Sequence, residues 1–448
     1  MIDTLLRYNT SAPRYTSYPP ANLFRAAVSK AETKRLWLES NSLEPQNLSF
    51  YFHIPFCRKR CIFCGCTAET MHSEEYRDAY FAALHKELAE KLAWVSNERK
   101  ITQIHFGGGT PTSVPLKELA KILDAVRAKF EVAPGAELAI EINPAILTEE
   151  MLRELASFGF NRASYGIQDF NEQTLLDIGR DPSLIPPKDL LALSHELGFH
   201  GLNLDLVYGL PGQTEESFCQ SIEKTIEASP DRVALFSYAH VPWVHPEQKA
   251  LEKFGIPDAR TKMAFFLKAR EMFRSAGFEA IGMDHFVKPS DALARAAKTG
   301  ALHRNFQGYC TRETTGQVYA FGSSGISQFD NAYLQNVHAS KEYIRRVEAE
   351  ELIEVRTHEL THDERVLRNV IQRFMCNNRL KLSAEEMATV GAGWERLLAL
   401  EAEGLLVRDG ENGVVATELG TLVIRYLAMQ LDPLMQKQKT EGVFSKTI

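Results

Sequence analysis

Six short apolar segments, separated by amphipathic helical stretches, occupy residues 48 to 238 and restrict the fold more than any other feature of the chain. LSFYFHIPF (48–56), ITQIHF (101–106), ELAIEI (137–142), RASYGI (162–167), GLNLDLVY (201–208) and RVALFSY (232–238) each read as a strand. Their apolar and β-branched character suits strands buried on both faces, as a parallel sheet requires. Between them lie helical patterns. Residues 73–94 open on Ser73 and two glutamates and place Tyr80, Leu84, Leu88 and Leu92 on one face. The segment after Thr148 carries Met151, Leu152, Leu155 and Phe158 to a stop at Gly159, and Thr214 opens another with Phe218, Ile222 and Ile226. Six such units, with a further strand expected near FEAIGM (278–283), predict an α/β sheet curled into a partial or complete barrel. In that architecture chemistry gathers at the C-terminal ends of the strands. Cys57 onward, GGGTPT (107–112), Asn143, Gln168 with Asp169, Asp205 and His240 all fall at or near such ends.

The chain divides into three parts on this reading. Residues 1–45 precede the repeats, and Arg7 to Pro20 are too rich in tyrosine and proline for a long helix. Residues 46–355 hold the barrel and its extension. Residues 356–448 turn mainly helical and end in an expected hairpin, GLLVRDGENGVVATELG, with Asp-Gly and Asn-Gly turns, so a winged-helix-like appendage is expected. That appendage has 12 basic and 13 acidic residues, which disfavours a DNA-reading wing. The whole chain carries a net charge of -7, against the basic footprint of a general nucleic-acid binder, so any anionic ligand must meet a local cationic cluster. No apolar run reaches the roughly 18 residues of a membrane span, and no basic-then-apolar leader is apparent. The expected compartment is the cytoplasm.

Of seven cysteines, Cys57, Cys61, Cys64 and Cys66 fall within ten residues at C-x3-C-x2-C-x-C, whereas Cys219, Cys310 and Cys376 stand alone. Zinc fingers and ribbons use two pairs separated by about a dozen or more residues. Disulfides are disfavoured in a reducing compartment. Thiolates crowded into one loop fit an iron-sulfur cluster better.

Cys57-x3-Cys61-x2-Cys64, with Phe63 before the third cysteine, resembles the signature of the radical S-adenosylmethionine (radical SAM) family. There, three cysteines hold three irons of a 4Fe-4S cluster and the fourth iron is open to SAM. RYTSYPPA (14–21), YFHIPFCRKRCIFCGC (51–66), FGGGTPT (106–112), EINP (141–144), GIQDFN (166–171), DLVYGLPGQT (205–214), YAHVP (238–242), GMDHF (282–286), HRNFQGY (303–309) and RFMCNNRL (373–380) occur in the order seen in the oxygen-independent coproporphyrinogen III oxidase family. The resemblance spans nearly the whole chain. It implies a (β/α)6-type partial TIM barrel, an N-terminal segment covering its mouth and a mainly helical C-terminal domain.

The resemblance also implies roles. Cys57, Cys61 and Cys64 are expected to ligate the cluster. Cys66 is expected to stay outside the ligand set, since a fourth thiolate would close the iron that SAM needs; a catalytic role and a small buried residue beside the loop both remain open for it. Two SAM molecules are expected. Tyr51, Gly108, Glu141, Ala239 and Ile326 match positions around the cluster-bound one, and Phe63, Gly109, Thr110, Gln168, Arg180 and Asp205 match the second. Arg180 is a natural carboxylate partner, and Asp205 in an apolar strand needs a partner or a ligand. His303, Arg304, Asn305, Phe306 and Gln307 resemble a patch near the second SAM and the substrate, with Arg304 and Gln307 as catalytic candidates. Arg14 and Arg304 are expected to meet propionates, although either could equally be in a structural ion pair. His53 reads as a hydrogen-bonded core histidine, and Trp243 departs from the smaller residue expected after YAHVP.

The implied reaction turns two propionates of coproporphyrinogen III into vinyl groups, giving protoporphyrinogen IX. A 5'-deoxyadenosyl radical abstracts hydrogen from the β-carbon, and carbon dioxide and one electron are lost. It requires a low-potential electron donor and an electron acceptor, and a monomer is expected. The alternatives at this stage are a heme-binding radical SAM chaperone and a radical SAM enzyme acting on heme.

Overall fold

A computed structural model describes residues 1–437, 444 and 446. All six expected strands form: β1 (Leu48–Ile54), β2 (Ile101–Gly108), β3 (Val132–Ile142), β4 (Arg162–Gln168), β5 (Asn203–Tyr208) and β6 (Arg232–Ser237). They pair in parallel in sequence order. Parallel pairing requires a crossover between neighbours, and the helices supply it. Ser73 caps α1 (Glu74–Leu92), Thr148 caps α2 (Glu149–Ser157) and Thr214 closes a capping box with Ser217 on α3 (Glu215–Ala228). In each the side-chain oxygen takes an N–H of the first turn that has no helical acceptor. Tyr80, Leu84 and Leu88 of α1 are buried against the sheet, as their spacing requires.

The strand expected near 278–283 is β7 (Glu279–Ile281), but it is not a seventh parallel unit. It pairs antiparallel with β8 (His285–Val287), which pairs antiparallel with β6. Three residues between β7 and β8 leave room only for a hairpin. HRNFQGY folds as a second hairpin, β9 (Leu302–Asn305) with β10 (Gly308–Thr311). The chain then returns to the other side of the sheet. β11 (Gln317–Phe321) runs parallel to β1, followed by antiparallel β12 (Ile326–Gln328), β13 (Ala332–Asn336) and β14 (Glu354–Glu359). β14 also pairs with Arg25–Ala26, and this strand carries the sheet past the boundary expected at Arg356. Among the described residues the sheet has thirteen strands, with Arg25–Ala26 and β7 at its two edges, so it does not close.

Phenylalanines fill the sheet interior. Phe50, Phe52, Phe106 and Phe321 are fully buried, with the Phe52 ring 5.0 Å from Phe106 and 5.4 Å from Phe321. Helix α4 (Ala259–Ser275) follows the sixth unit. Beyond β14, α5 (His362–Asn377), the antiparallel strands β15 (Arg379–Lys381), β16 (Leu406–Arg408) and β17 (Gly413–Ala416), and α6 (Ile424–Gln430) form the helical appendage with the expected hairpin. The N-terminal segment is fastened to this appendage: the hydroxyls of Tyr15 and Tyr18 donate to Asp432 at 3.0 and 3.2 Å.

Candidate active site at the strand ends

After β1 the chain makes a two-residue pairing, Phe56–Cys57 with Glu69–Thr70, that pinches off a loop holding the other clustered cysteines. The loop is anchored from three directions. Ile62 N–H donates to the Ile178 carbonyl at 3.0 Å, Gln248 Nε2 to the Phe63 carbonyl at 3.1 Å, and Arg180 Nη1 to Cys61 Sγ at 3.3 Å. Cys57, Cys61 and Cys64 are free thiols, partly exposed, and all line one cavity of about 520 Å3. Gly109 lines the same cavity and packs against the backbone at the start of their loop. A Cβ there would sit 2.7 Å from the Pro55 carbonyl oxygen and 2.8 Å from that of Phe56, so any side chain would push the cysteine loop away.

Phe63 from the loop, Gly109 and Thr110 after β2, Gln168 and Arg180 at and beyond the end of β4, and Asp205 on β5 line this same cavity. Arg180 is buried and also donates to Asn143 Oδ1 at 3.0 Å and to the Gly166 carbonyl. Gln168 adopts φ 69 where the β4 and β5 register shifts, an unfavourable conformation for a non-glycine residue and one that concentrates at functional sites.

Asp205 finds neutral partners, Ser164 Oγ at 3.0 Å and Asn203 Nδ2 at 2.7 Å. Burial raises its carboxyl pKa and the nearby Glu141 charge adds to this; the two hydrogen bonds offset only part, leaving it at about 6. In an unfolded chain the value is about 3.9. Ionising Asp205 therefore costs nothing in stability below pH about 4, costs increasingly through about 6, and costs fully above. Asp205→Asn removes that cost, so thermal unfolding of the cluster-free protein should show a larger stabilisation by D205N at about pH 7.5 than at about pH 5.

A second, smaller cavity of about 270 Å3 adjoins the first, with Gly108, Glu141 and Cys66 lining both. Tyr51, Ile326, Phe306 and Gln307 line the second. Ala239, expected with Tyr51 and Ile326, lies instead on the first. Glu141 accepts from His105 Nε2 at 3.2 Å and from Gly108 N–H at 3.1 Å. Burial pushes its pKa up, but the hydrogen bonds from His105 and the Gly108 N–H outweigh it and hold the carboxyl below its usual value. His53 is a buried, satisfied histidine: its Nε2 donates to the Thr67 carbonyl at 2.9 Å and its Nδ1 faces the Tyr51 hydroxyl at 3.0 Å. Burial, partly opposed by the Thr67 bond, holds its pKa down at about 4. Cys66 is exposed at the surface of its loop and lines both cavities.

Arg304 lines neither cavity. It is buried, its guanidinium lies 4.6 Å from the Tyr309 ring centroid, and its Nε donates to the Arg14 carbonyl at 3.3 Å. His303 is likewise buried in β9, whereas Asn305, Phe306 and Gln307 reach the smaller cavity. Arg14 lines the larger cavity and pairs with Asp284 at 3.3 Å. Cys310 and Cys376 are buried and Cys219 is half-buried, remote in sequence from the cysteine loop. Nothing local in the sequence marks Gln328, yet it lines the smaller cavity together with Gln307.

The residues present fit a cluster and a polar cofactor. Gln307 and Gln328 line one cavity, and Gln307 Nε2 and Gln328 Oε1, a donor and an acceptor, are buried without hydrogen-bond partners among the described residues. The thiols are unpaired and share one loop. Among the described residues no three His, Cys, Asp or Glu are gathered at single-ion distance; a multi-iron cluster spaces its thiolates more widely than one ion does.

Fold and loop together define a radical SAM protein, and the Radical SAM superfamily model matches residues 51–225. The chain is 34% identical to an oxygen-independent coproporphyrinogen III oxidase of Synechocystis sp., covering 100% of this chain and 97% of that protein. Identity to the Salmonella typhimurium protein of the same name is 35%, over 99% and 97%. A solved structure, coproporphyrinogen III oxidase from Escherichia coli, superposes with a TM-score of 0.87 at 34% identity, covering 96% of this chain and 98% of that one. This chain belongs to the oxygen-independent coproporphyrinogen III oxidase family.

Proposed function

We propose that the chain catalyses the oxygen-independent oxidative decarboxylation of two propionates of coproporphyrinogen III to vinyl groups, giving protoporphyrinogen IX in heme biosynthesis. The observation that carries this reading is the convergence of three free thiols, Arg180, Gln168 and Asp205 on one cavity, in a chain that aligns with oxidases of that name over its full length. Cys57, Cys61 and Cys64 would hold three irons of one 4Fe-4S cluster, with Cys66 outside the set. A reduced cluster with SAM bound supplies hydrogen-atom abstraction at an unactivated carbon, which no side chain of the protein can perform.

The protein's own residues bind, orient and shield. Glu141, held ionised by His105 and Gly108, suits ribose hydroxyls or an ammonium group. Arg180, pinned by Asn143 and Gly166, offers its charge to a cofactor carboxylate beside Cys61. Gln307 and Gln328 supply a donor and an acceptor in the adjoining cavity. Two SAM molecules are proposed because both cavities carry a polar set and share Glu141. Tyr51, Gly108 and Ile326 would serve one, and Phe63, Gly109, Thr110, Gln168, Asp205 and Ala239 the other. At each propionate a β-hydrogen atom is removed, the carboxyl C–C bond breaks, carbon dioxide leaves and one electron passes to an acceptor. A low-potential donor, a monomeric state and a cytoplasmic location complete the proposal; no helix among the described residues is long and apolar enough to cross a membrane.

The test is anaerobic. The reconstituted, reduced protein given SAM and coproporphyrinogen III should release two carbon dioxide molecules for each divinyl product. Formation of 5'-deoxyadenosine with no vinyl product would overturn the substrate.

A further inference from the structure

A third cavity, of about 490 Å3, lies between the end of β6, helix α4, the N-terminal segment and helix α6. It opens onto the cofactor cavity across Ser237, Tyr238, Ala239 and Val241, with Arg14 lining both. Part of its lining is apolar, with Leu235, Met263, Phe266 and the exposed Trp243. Part is cationic. Among the described residues four basic side chains, Arg14, Lys262, Arg425 and Lys446, line it against one acid, Asp284, in a chain whose net charge is -7.

The one acid is already committed. Asp284 accepts from His285 Nδ1 at 2.7 Å and from Arg14 Nη2 at 3.3 Å. Lys262 has no carboxylate partner: its Nζ donates to the Tyr238 carbonyl at 2.6 Å and forms no ion pair among the described residues. A partly buried ammonium held only by a carbonyl and a ring face retains two N–H groups for an anion. The lysine stem reaches this place over Gly209, where a Cβ would stand 2.6 Å from Lys262 Cε. Arg425, fixed by the carbonyls of Ala12, Pro13 and Lys446, adds charge from the appendage side.

We propose that this cavity seats the substrate's macrocycle, with Lys262 and Arg14 receiving its carboxylates and the apolar wall covering its ring. The proposal rests on the reading of the substrate as a tetracarboxylate porphyrinogen. It assigns the cationic partner role to Lys262 rather than to Arg304, which is buried against Tyr309. A macrocycle held here presents an edge to the cofactor cavity across Ala239, where its propionate carbon must lie to react.

The probes are coproporphyrin III, the oxidised tetracarboxylate, and its uncharged tetramethyl ester, measured by equilibrium binding to the reconstituted protein. Lys262→Met should weaken the tetraacid about tenfold or more, the effect of losing one charge-assisted contact. The ester should bind within about threefold of wild type, which confirms an intact cavity, and Lys262→Arg should restore most of the tetraacid affinity. Equal tetraacid affinity in wild type and K262M overturns the seat, even where vinyl product forms, and so does an equal loss for acid and ester. If K262M loses only the tetraacid while the wild type makes no vinyl product, the seat stands and the proposed reaction falls.

Discussion

Cys64→Ala is expected to abolish the cluster's visible absorbance and to reduce SAM cleavage and vinyl formation to background. With Cys66 outside the ligand set as proposed, no spare ligand remains, because Cys219, Cys310 and Cys376 lie far along the chain and two of them are buried. Cys66→Ala should retain the absorbance. Cys66 opens onto both cavities and its N–H donates to Cys64 Sγ at 3.4 Å, a backbone bond that alanine preserves. Loss of absorbance in C66A would place Cys66 among the ligands and close the position proposed for SAM. Retained absorbance with lost vinyl formation would instead assign Cys66 to the chemistry. Absorbance and product are therefore measured on the same reconstituted samples.

Arg180→Met should lower kcat/KM for SAM by about 100-fold or more, with the cluster absorbance kept. The guanidinium is buried, forms no ion pair among the described residues, and donates to Cys61 Sγ, Asn143 Oδ1 and the Gly166 carbonyl. Methionine fills similar volume but strands two oxygens, at about 1 to 3 kcal/mol for each unsatisfied group, and removes the positive charge proposed to meet a cofactor carboxylate. Arg180→Lys keeps the charge but not the planar fork, so it should fall between the two. The loss should appear mainly as a raised KM for SAM. An unchanged kcat/KM in R180M would reduce Arg180 to a brace of the loop.

Much of this site is legible in one dimension because its residues sit at the ends of strands that follow one another. Alternating apolar strands and capped helices force parallel pairing, and parallel pairing brings every strand's C-terminal end to one side. Cys57, Gly109, Glu141, Gln168, Asp205 and Ala239 converge for that reason alone. Residues that reach the site from outside the repeat are not legible in the same way. β11 joins the sheet beside β1 only after the chain has passed through two hairpins, and the same return brings Ile326 and Gln328 to the smaller cavity. The strand expected near 278–283 is apolar enough for a parallel unit, yet the short link to β8 makes it a hairpin.

Arg304 and Lys262 show the limit most clearly. In sequence Arg304 stands in a polar, aromatic string that resembles a binding patch, whereas Lys262 is one of several charges on an amphipathic helix. Folding buries the first against Tyr309 and turns the second into a cavity where it forms no ion pair among the described residues. Local periodicity and spacing carry the parallel α/β sheet, the thiol loop and the side of the sheet on which chemistry takes place. Which cations face the cavity proposed for the macrocycle, that Cys66 is exposed, and that the sheet stays open among the described residues emerge only in three dimensions. Those outcomes depend on burial and on contacts between segments hundreds of residues apart, which no local pattern encodes.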